Sequence, residues 1–182
     1  MSTVMQSLHR DHCNLGKLLD LLSGQIEIFR QGRRPDFDLM IDIMDYIENY
    51  SDVVHHPKED LIYNAMRARS ELARGAIDRL LDEHKILSES TREFRQTLEG
   101  IMGDAVTSRD TVEQRGEEFI AMQRRHLNAE EGQVFPLVSQ VLSEQDLAAI
   151  DASLAGEDPL FGESSDAHYQ TLYEHIMAME HN

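Results

Sequence analysis

Four stretches of the chain place an apolar residue at every third or fourth position, and in each a histidine interrupts the apolar stripe. The first spans residues 2–29, with Met5, Leu8, His12, Leu15, Leu19, Leu22, Ile26 and Phe29 in line. The second, over 36–68, aligns Phe37, Ile41, Met44, Ser51, His55, Glu59, Ile62 and Met66. The third aligns Ile77, Leu80, His84, Leu87, Thr91, Phe94 and Leu98; the fourth, over 110–142, aligns Val112, Phe119, Met122, His126, Glu130, Val134, Leu137 and Val141. This spacing is that of one buried face of a helix.

The breaks between them are short. Gly32 and Pro35 in QGRRPD close the first stretch and open the second, Ser70 is a plausible N-cap for the third, and Gly100, Gly103 and TSRD precede the fourth. The expected fold is therefore all-α: an antiparallel up-down-up-down four-helix bundle over residues 1–142. Residues 143–182 form a C-terminal extension, with a short helix in SEQDLAAIDASL, a loop in EDPLFGESSD and a final helix in DAHYQTLYEHIMAME. That last helix is expected to pack across the bundle as a lid or a subunit contact. The apolar set is rich in Leu, Met, Ile and Ala, with 6% aromatics and no tryptophan, which suits helices better than sheets.

Other features narrow the function. A net charge of −17 disfavours nucleic acid and anionic membrane surfaces and favours cations. Cys13 is the only cysteine, so no internal disulfide forms and a reducing, cytoplasmic setting is expected. The start, MSTVMQSLHRDH, lacks the basic and apolar regions of a secretory signal, and no apolar run approaches the ~20 residues of a membrane helix.

The four seam histidines share a height in such a bundle. Measured from the breaks at one end, His12 lies about eighteen residues away, His55 about nineteen, and His84 and His126 about seventeen. At 1.5 Å per residue the mismatch is about 3 Å, less than a turn. Glu59 and Glu130 follow His55 and His126 by four residues, one turn along the same face. Four imidazoles and two carboxylates in a low-dielectric layer must be paired or neutralised, and a metal does both. The expected site is dinuclear, with His12, His55, His84 and His126 as terminal ligands and Glu59 and Glu130 as bridges. Nitrogen and oxygen donors without thiolate suit two iron ions joined by an oxo or hydroxo bridge, and also accommodate manganese or zinc. Open positions remain for an exogenous ligand.

These residues resemble the hemerythrin-like, or HHE cation-binding, family. Its pattern is a histidine on the first helix, H-x-x-x-E on the second, a histidine on the third and H-x-x-x-E on the fourth. Here those are His12, His55-His-Pro-Lys-Glu59, His84 and His126-Leu-Asn-Ala-Glu130. The resemblance covers about residues 5–142 and implies a non-haem di-iron centre in a four-helix bundle. The oxygen-carrying hemerythrins have H-x-x-x-H on the third helix, where Leu80 stands here, and a carboxylate five residues after the last histidine, where Glu131 stands. The four-histidine, two-glutamate set is most similar to the di-iron domain of bacterial iron–sulfur cluster repair proteins.

Other residues are given lesser roles. His56 and Asp60 form a rival pair, turned about 100° from His55 and Glu59. His9 is read as solvent-facing, Cys13 as a packed thiol, and Glu48 as either a hydrogen-bonding neighbour of the site or a surface residue. Pro57 is expected to bend the second helix, and His168, His175 and His181 lack a convergent partner set. The expected function is a non-haem di-iron protein that binds or senses dioxygen, nitric oxide or peroxide, and turnover is compatible with the same site. The alternative is an iron donor for cluster repair, with a protein acceptor of iron as partner. A homodimer fits either reading, and a ferritin-like oxidase ranks below both, because Glu-x-x-His is missing from both ligand helices.

Overall fold

The protein is described from a computed structural model, which covers residues 3–153, 158–162 and 167–180. Among these residues the structure is helical throughout and contains no strand. Helix α1 spans Thr3–Arg30. It stops at Gly32, whose φ of +80° is a left-handed turn open to glycine. Asp36 caps α2 (Phe37–Tyr46), its carboxylate accepting the Leu39 N–H at 3.0 Å.

The helical path from α2 does not break at the proline. It widens into a π-helical stretch over Ile47–His55 and tightens again into α3 (His56–Arg69). The winding therefore changes just before Pro57. Proline has no N–H to give, and it falls in the first turn of α3, where the donor it lacks is least missed. The His56 N–H returns to the Ser51 carbonyl, the i to i−5 bond of a π turn.

Ser70 ends α3 instead of opening the next helix. Its N–H bonds to the Met66 carbonyl and its Oγ accepts the Leu72 N–H. Ala73, in the left-handed region at φ 60°, leads into α4 (Arg74–Met102). The break that follows begins at Gly103, so Gly100 lies within α4. Ser108 caps α5 (Arg109–Ala129) by accepting the Thr111 N–H at 3.1 Å. A second π-helical stretch, Glu130–Val134, joins α5 to α6 (Phe135–Val141), again with a proline just after it, Pro136.

The chain continues with α7 (Glu144–Ser153), opened by a reciprocal pair of bonds between Ser143 and Asp146. Beyond it lie a 3₁₀ turn at Ala167–Tyr169 and α8 (Gln170–Glu180). Part of the expected EDPLFGESSD loop, and His181, lie outside the described residues. No helix among the described residues is long and apolar enough to cross a membrane.

Helix α5 packs against both α1 and α4, α4 also packs against α2 and α3, and α3 meets α6. The apolar stripe of α4 is buried along its whole length, from Ile77 to Leu98. The core is in two parts. One holds Leu18, Leu22, Met40, Ile43, Met44, Phe94 and Phe119; the other holds Met5, Leu8, Ile62, Met66, Ile77, Leu80, Val134 and Val138. Between them lies a polar layer at the height of His12, His55, His84 and His126.

The C-terminal elements pack on this frame. Helix α7 lies on α1 and α3, and α8 on α1 and α2, where Leu172 and Ile176 join the first apolar cluster. The attachment to α2 is also polar. Tyr46 donates to Asp158 at 3.0 Å, Tyr169 donates to Asp45 at 2.8 Å, and Arg95 pairs with Asp45 at 2.9 Å. His168 also reaches Asp45, at 3.2 Å.

Gly116 of α5 packs tightly against α1 and α4: a Cβ there would lie 2.5 Å from Ile26 Cδ1 and 3.1 Å from Phe94 Cζ. Gly24, in α1, has open space around it. Gly116→Leu is therefore expected to lower stability by about 2 kcal/mol. Gly24→Ala is expected to raise it by about 0.5–1 kcal/mol through helix propensity. Urea midpoints of the two variants against the parent protein check both signs.

Candidate metal centre

The polar layer is built from side chains that belong to the buried faces of their helices. His12 comes from α1, His55 from the end of the first π stretch, His56 and Glu59 from α3, His84 from α4, His126 from α5 and Glu130 from the second π stretch. All seven are buried, and Glu59 and Glu130 have no exposed surface. Buried carboxylates of this kind are rare unless paired, because desolvation penalises the charge.

The imidazole Nε2 atoms converge on the two glutamates. His12 Nε2 lies 3.1 Å from Glu59 and 3.4 Å from Glu130. His55 Nε2 lies 3.4 Å from Glu59. His84 Nε2 lies 3.3 Å from Glu130 and 3.5 Å from Glu59, and His126 Nε2 lies 3.2 Å from Glu130. Two donor groups emerge, each with its ligand atoms within 4.8 Å of one another: His12, His55 and Glu59; and His56, Glu59, His84 and His126. Glu59 belongs to both.

The fit to a cation is tested by atoms that the protein leaves unsatisfied. His55 Nε2, His126 Nε2, Glu59 Oε2 and Glu130 Oε2 are buried without a hydrogen-bond partner among the described residues. Unpaired buried polar atoms are expensive and uncommon in folded proteins. Four of them gathered in one layer form a donor set of nitrogen and oxygen atoms that can hold a metal.

The opposite nitrogen of each ring faces outward to a carboxylate. An ionised carboxylate only accepts, so each Nδ1–H is the donor. His12 Nδ1 donates to Glu131 at 2.8 Å, His55 to Asp11 at 3.3 Å, His84 to Asp60 at 2.6 Å and His126 to Glu83 at 3.0 Å. These contacts close into a ring around the protein: Asp11 of α1 holds His55, Asp60 of α3 holds His84, Glu83 of α4 holds His126, and Glu131 of the second π stretch holds His12. Such carboxylates fix the tautomer and aim Nε2 inward. Tyr50 donates to Asp11 at 3.2 Å, and Tyr63 donates to Glu130 at 2.8 Å.

The same side chains set unequal protonation. Burial pulls His12 down, but Glu131, Glu59 and Glu130 outweigh it and raise its pKa to about 10. His84 is likewise pulled down by burial and raised to about 10 by Asp60, Glu130 and Glu59. Burial wins at His55 and His56, which are lowered to about 4. Glu130 is penalised by burial, yet His126 and His84 hold it well below the usual carboxylate range.

Several of these residues were not expected at the site. His56 is buried beside His55, because the π stretch that ends at His55 changes the turn between the two rings. Its ring lies parallel to that of His84 within 13°, with centroids 4.4 Å apart, and its Nδ1 lies 3.1 Å from Asp52. The carboxylates of the ring adjoin ligand candidates in the sequence, in Asp11-His12, Glu59-Asp60, Glu83-His84 and Glu130-Glu131, but adjacency alone does not mark them as partners. Cys13 is exposed, not packed. It lines a cleft of about 490 Å³ between α1 and α5, with His9, Gly16, Leu127 and Glu131, and this cleft reaches the site at His12. His9 donates to Glu131 at 2.9 Å from the solvent side. Glu48 pairs with Arg95, away from the site.

Comparison with known proteins agrees with this geometry. The family model of the hemerythrin HHE cation binding domain matches residues 3–138, a span that includes every side chain of the polar layer. No curated protein and no solved structure matches the chain. With three-quarters of its length matched, and with buried His and Glu groups able to hold a metal, the chain belongs to the hemerythrin HHE cation-binding family.

Proposed function

We propose that the protein is a non-haem di-iron protein that binds or senses a small ligand of the class of dioxygen, nitric oxide or peroxide. The observation that carries this reading is the set of four unsatisfied buried donors, one pair on His55 and Glu59 and one on His126 and Glu130. In this reading His12, His55, His84 and His126 are terminal ligands, and Glu59 and Glu130 span two ions. The helical stretches 3–30, 37–69, 74–102 and 109–141 act as the four rods of an antiparallel bundle, and the segment from 143 onward acts as an extension packed on it. Bound iron supplies one-electron redox chemistry and exchangeable coordination positions.

The chain's own residues supply the rest. Asp11, Asp60, Glu83 and Glu131 keep each imidazole aimed at the centre. Tyr63 holds Glu130 through its hydroxyl. The two apolar clusters exclude water above and below the layer. The cleft at His12, lined by the small Gly16, supplies a path for a small molecule. A single cysteine that makes no disulfide within the chain suits a reducing compartment such as the cytoplasm.

Iron delivery to a protein acceptor is a second reading. It is favoured by the same open cleft, where exposed His9 and Cys13 and half-buried Glu131 stand beside His12. Rapid release of iron to an external chelator, with an absorption spectrum indifferent to oxygen, separates delivery from ligand binding.

Metal analysis joined to an optical spectrum tests the leading reading. Two irons per chain are expected, with a near-ultraviolet charge-transfer band that changes under oxygen or nitric oxide. A folded protein with no affinity for iron removes the reading. Glu130→Gln is expected to lower iron content to one ion or none per chain while helical content by circular dichroism is kept.

Metal loading is also expected to release protons. His12 and His84 are protonated below about pH 10 before loading, and a coordinated Nε2 cannot carry a proton. Between pH 7 and 9 each ring therefore gives up one proton, and apparent affinity rises with pH across that window. Zinc titration in a weakly buffered solution with a pH indicator measures the release. A count of zero at pH 8 contradicts the raised protonation of His12 and His84 before loading.

A further inference from the structure

We propose that Tyr50, Tyr46 and Tyr169 form an oxidation path from the polar layer to the C-terminal elements, along which electrons are drawn inward when hydrogen peroxide is reduced at the layer. This rests on the metal reading above, but the path is built from residues outside the donor set.

The path starts at one carboxylate oxygen. Asp11 Oδ2 lies 3.3 Å from His55 Nδ1 and accepts the Tyr50 hydroxyl at 3.2 Å, so the layer and the first phenol meet on a single atom. Tyr50 lies in the first π-helical stretch, four residues after Tyr46 at the end of α2. Their rings stack with centroids 5.4 Å apart and 27° between the planes. Tyr46 in turn meets the edge of Tyr169 at 5.7 Å. The Tyr169 ring touches that of His168 at 4.7 Å, and His168 is exposed. An unbroken line of rings therefore runs from the buried layer to the surface.

Each phenol also has its own proton acceptor. Tyr50 donates to Asp11, Tyr46 to Asp158 at 3.0 Å and Tyr169 to Asp45 at 2.8 Å. A phenol gives up an electron far more readily when its proton leaves in the same step, because the product is a neutral radical and not a radical cation. Packing alone does not call for these hydroxyls: Phe161 fills the same cluster, edge-on to Tyr46 at 6.1 Å. A buried phenol needs only some partner for its hydroxyl, yet all three have a carboxylate. Tyr63, which donates to Glu130, stacks on His84 and meets no other tyrosine ring among the described residues.

Reduction of hydrogen peroxide to two waters breaks the O–O bond and takes two electrons and two protons. Two phenols supply the electrons and become neutral radicals, and their protons pass to the carboxylates they already bond. The two protons that complete the waters come from solvent. The path thus moves oxidising equivalents away from the imidazoles of the layer and toward the surface at Tyr169.

The test uses the iron-loaded full chain, mixed with hydrogen peroxide and freeze-quenched for electron paramagnetic resonance. A tyrosyl radical is expected in the parent protein, with a splitting pattern that changes in Tyr169→Phe. Tyr46→Phe cuts the path in the middle and is expected to confine the radical to Tyr50, again with a changed pattern. Tyr50→Phe is expected to abolish the radical with iron content kept. Each variant keeps the ring and loses one hydroxyl, and a purely structural hydroxyl would leave the radical where it was. Where one variant loses its iron or its fold, the other two decide.

A radical unchanged in Tyr50→Phe and Tyr46→Phe, or removed only by Tyr63→Phe, overturns the path. So does the absence of any tyrosyl radical in a parent protein that holds two irons, and the metal reading then stands. A parent protein that takes up no iron overturns both.

Discussion

Everything in the fold is arranged around two buried glutamates. Glu59 and Glu130 sit between two apolar clusters with no exposed surface, at a depth where a lone carboxylate would be neutralised or would unfold the region around it. What keeps Glu130 charged is the cationic and hydrogen-bonding face that His126 and His84 turn toward it. The histidines in turn are kept in place by carboxylates further out. The layer is thus an alternation of acid and base from centre to surface, and the helices are spaced to hold it.

That alternation explains features of the chain that otherwise look like poor helix design. Two prolines lie within continuous helical paths, and each follows a π-helical stretch that carries a residue of the layer. A π turn holds about one more residue than an α turn, which narrows the angle between neighbouring side chains. His55 and His56, at the end of one such stretch, are both buried. Two tyrosines serve the same layer, Tyr63 and Tyr50 extending the network to Glu130 and Asp11, while Tyr46 and Tyr169 fasten the C-terminal elements to α2.

Much of this was legible in the sequence, and the losses have physical causes. The helical stripes were readable because a 3.6-residue period leaves a strong imprint on apolar spacing, and α4 shows it without exception. His12, His55, His84 and His126 stood out as polar residues on those stripes. His56 did not, because the argument against it assumed α geometry and 100° per residue, and the helix there is wound differently. Ser70 was misread as a helix start, since a serine hydroxyl caps a turn by the same bond with which it caps a helix. Cys13 was misread because a residue flanking a buried histidine can still open onto a cleft. The outer carboxylates were missed because an acid beside a ligand resembles any surface acid until the helix across from it is known.

The closed circuit of carboxylate–imidazole contacts has a mechanical consequence. Each link crosses from one helical stretch to another, so the stretches that carry the layer are belted at one level. A slip of any rod by one turn, about 5.4 Å along its axis, would strand an acid on one side and an imidazole on the other. The belt therefore fixes both the height and the rotation of every rod, and an arriving ion meets donors already set at their distances, with little reorganisation left to perform.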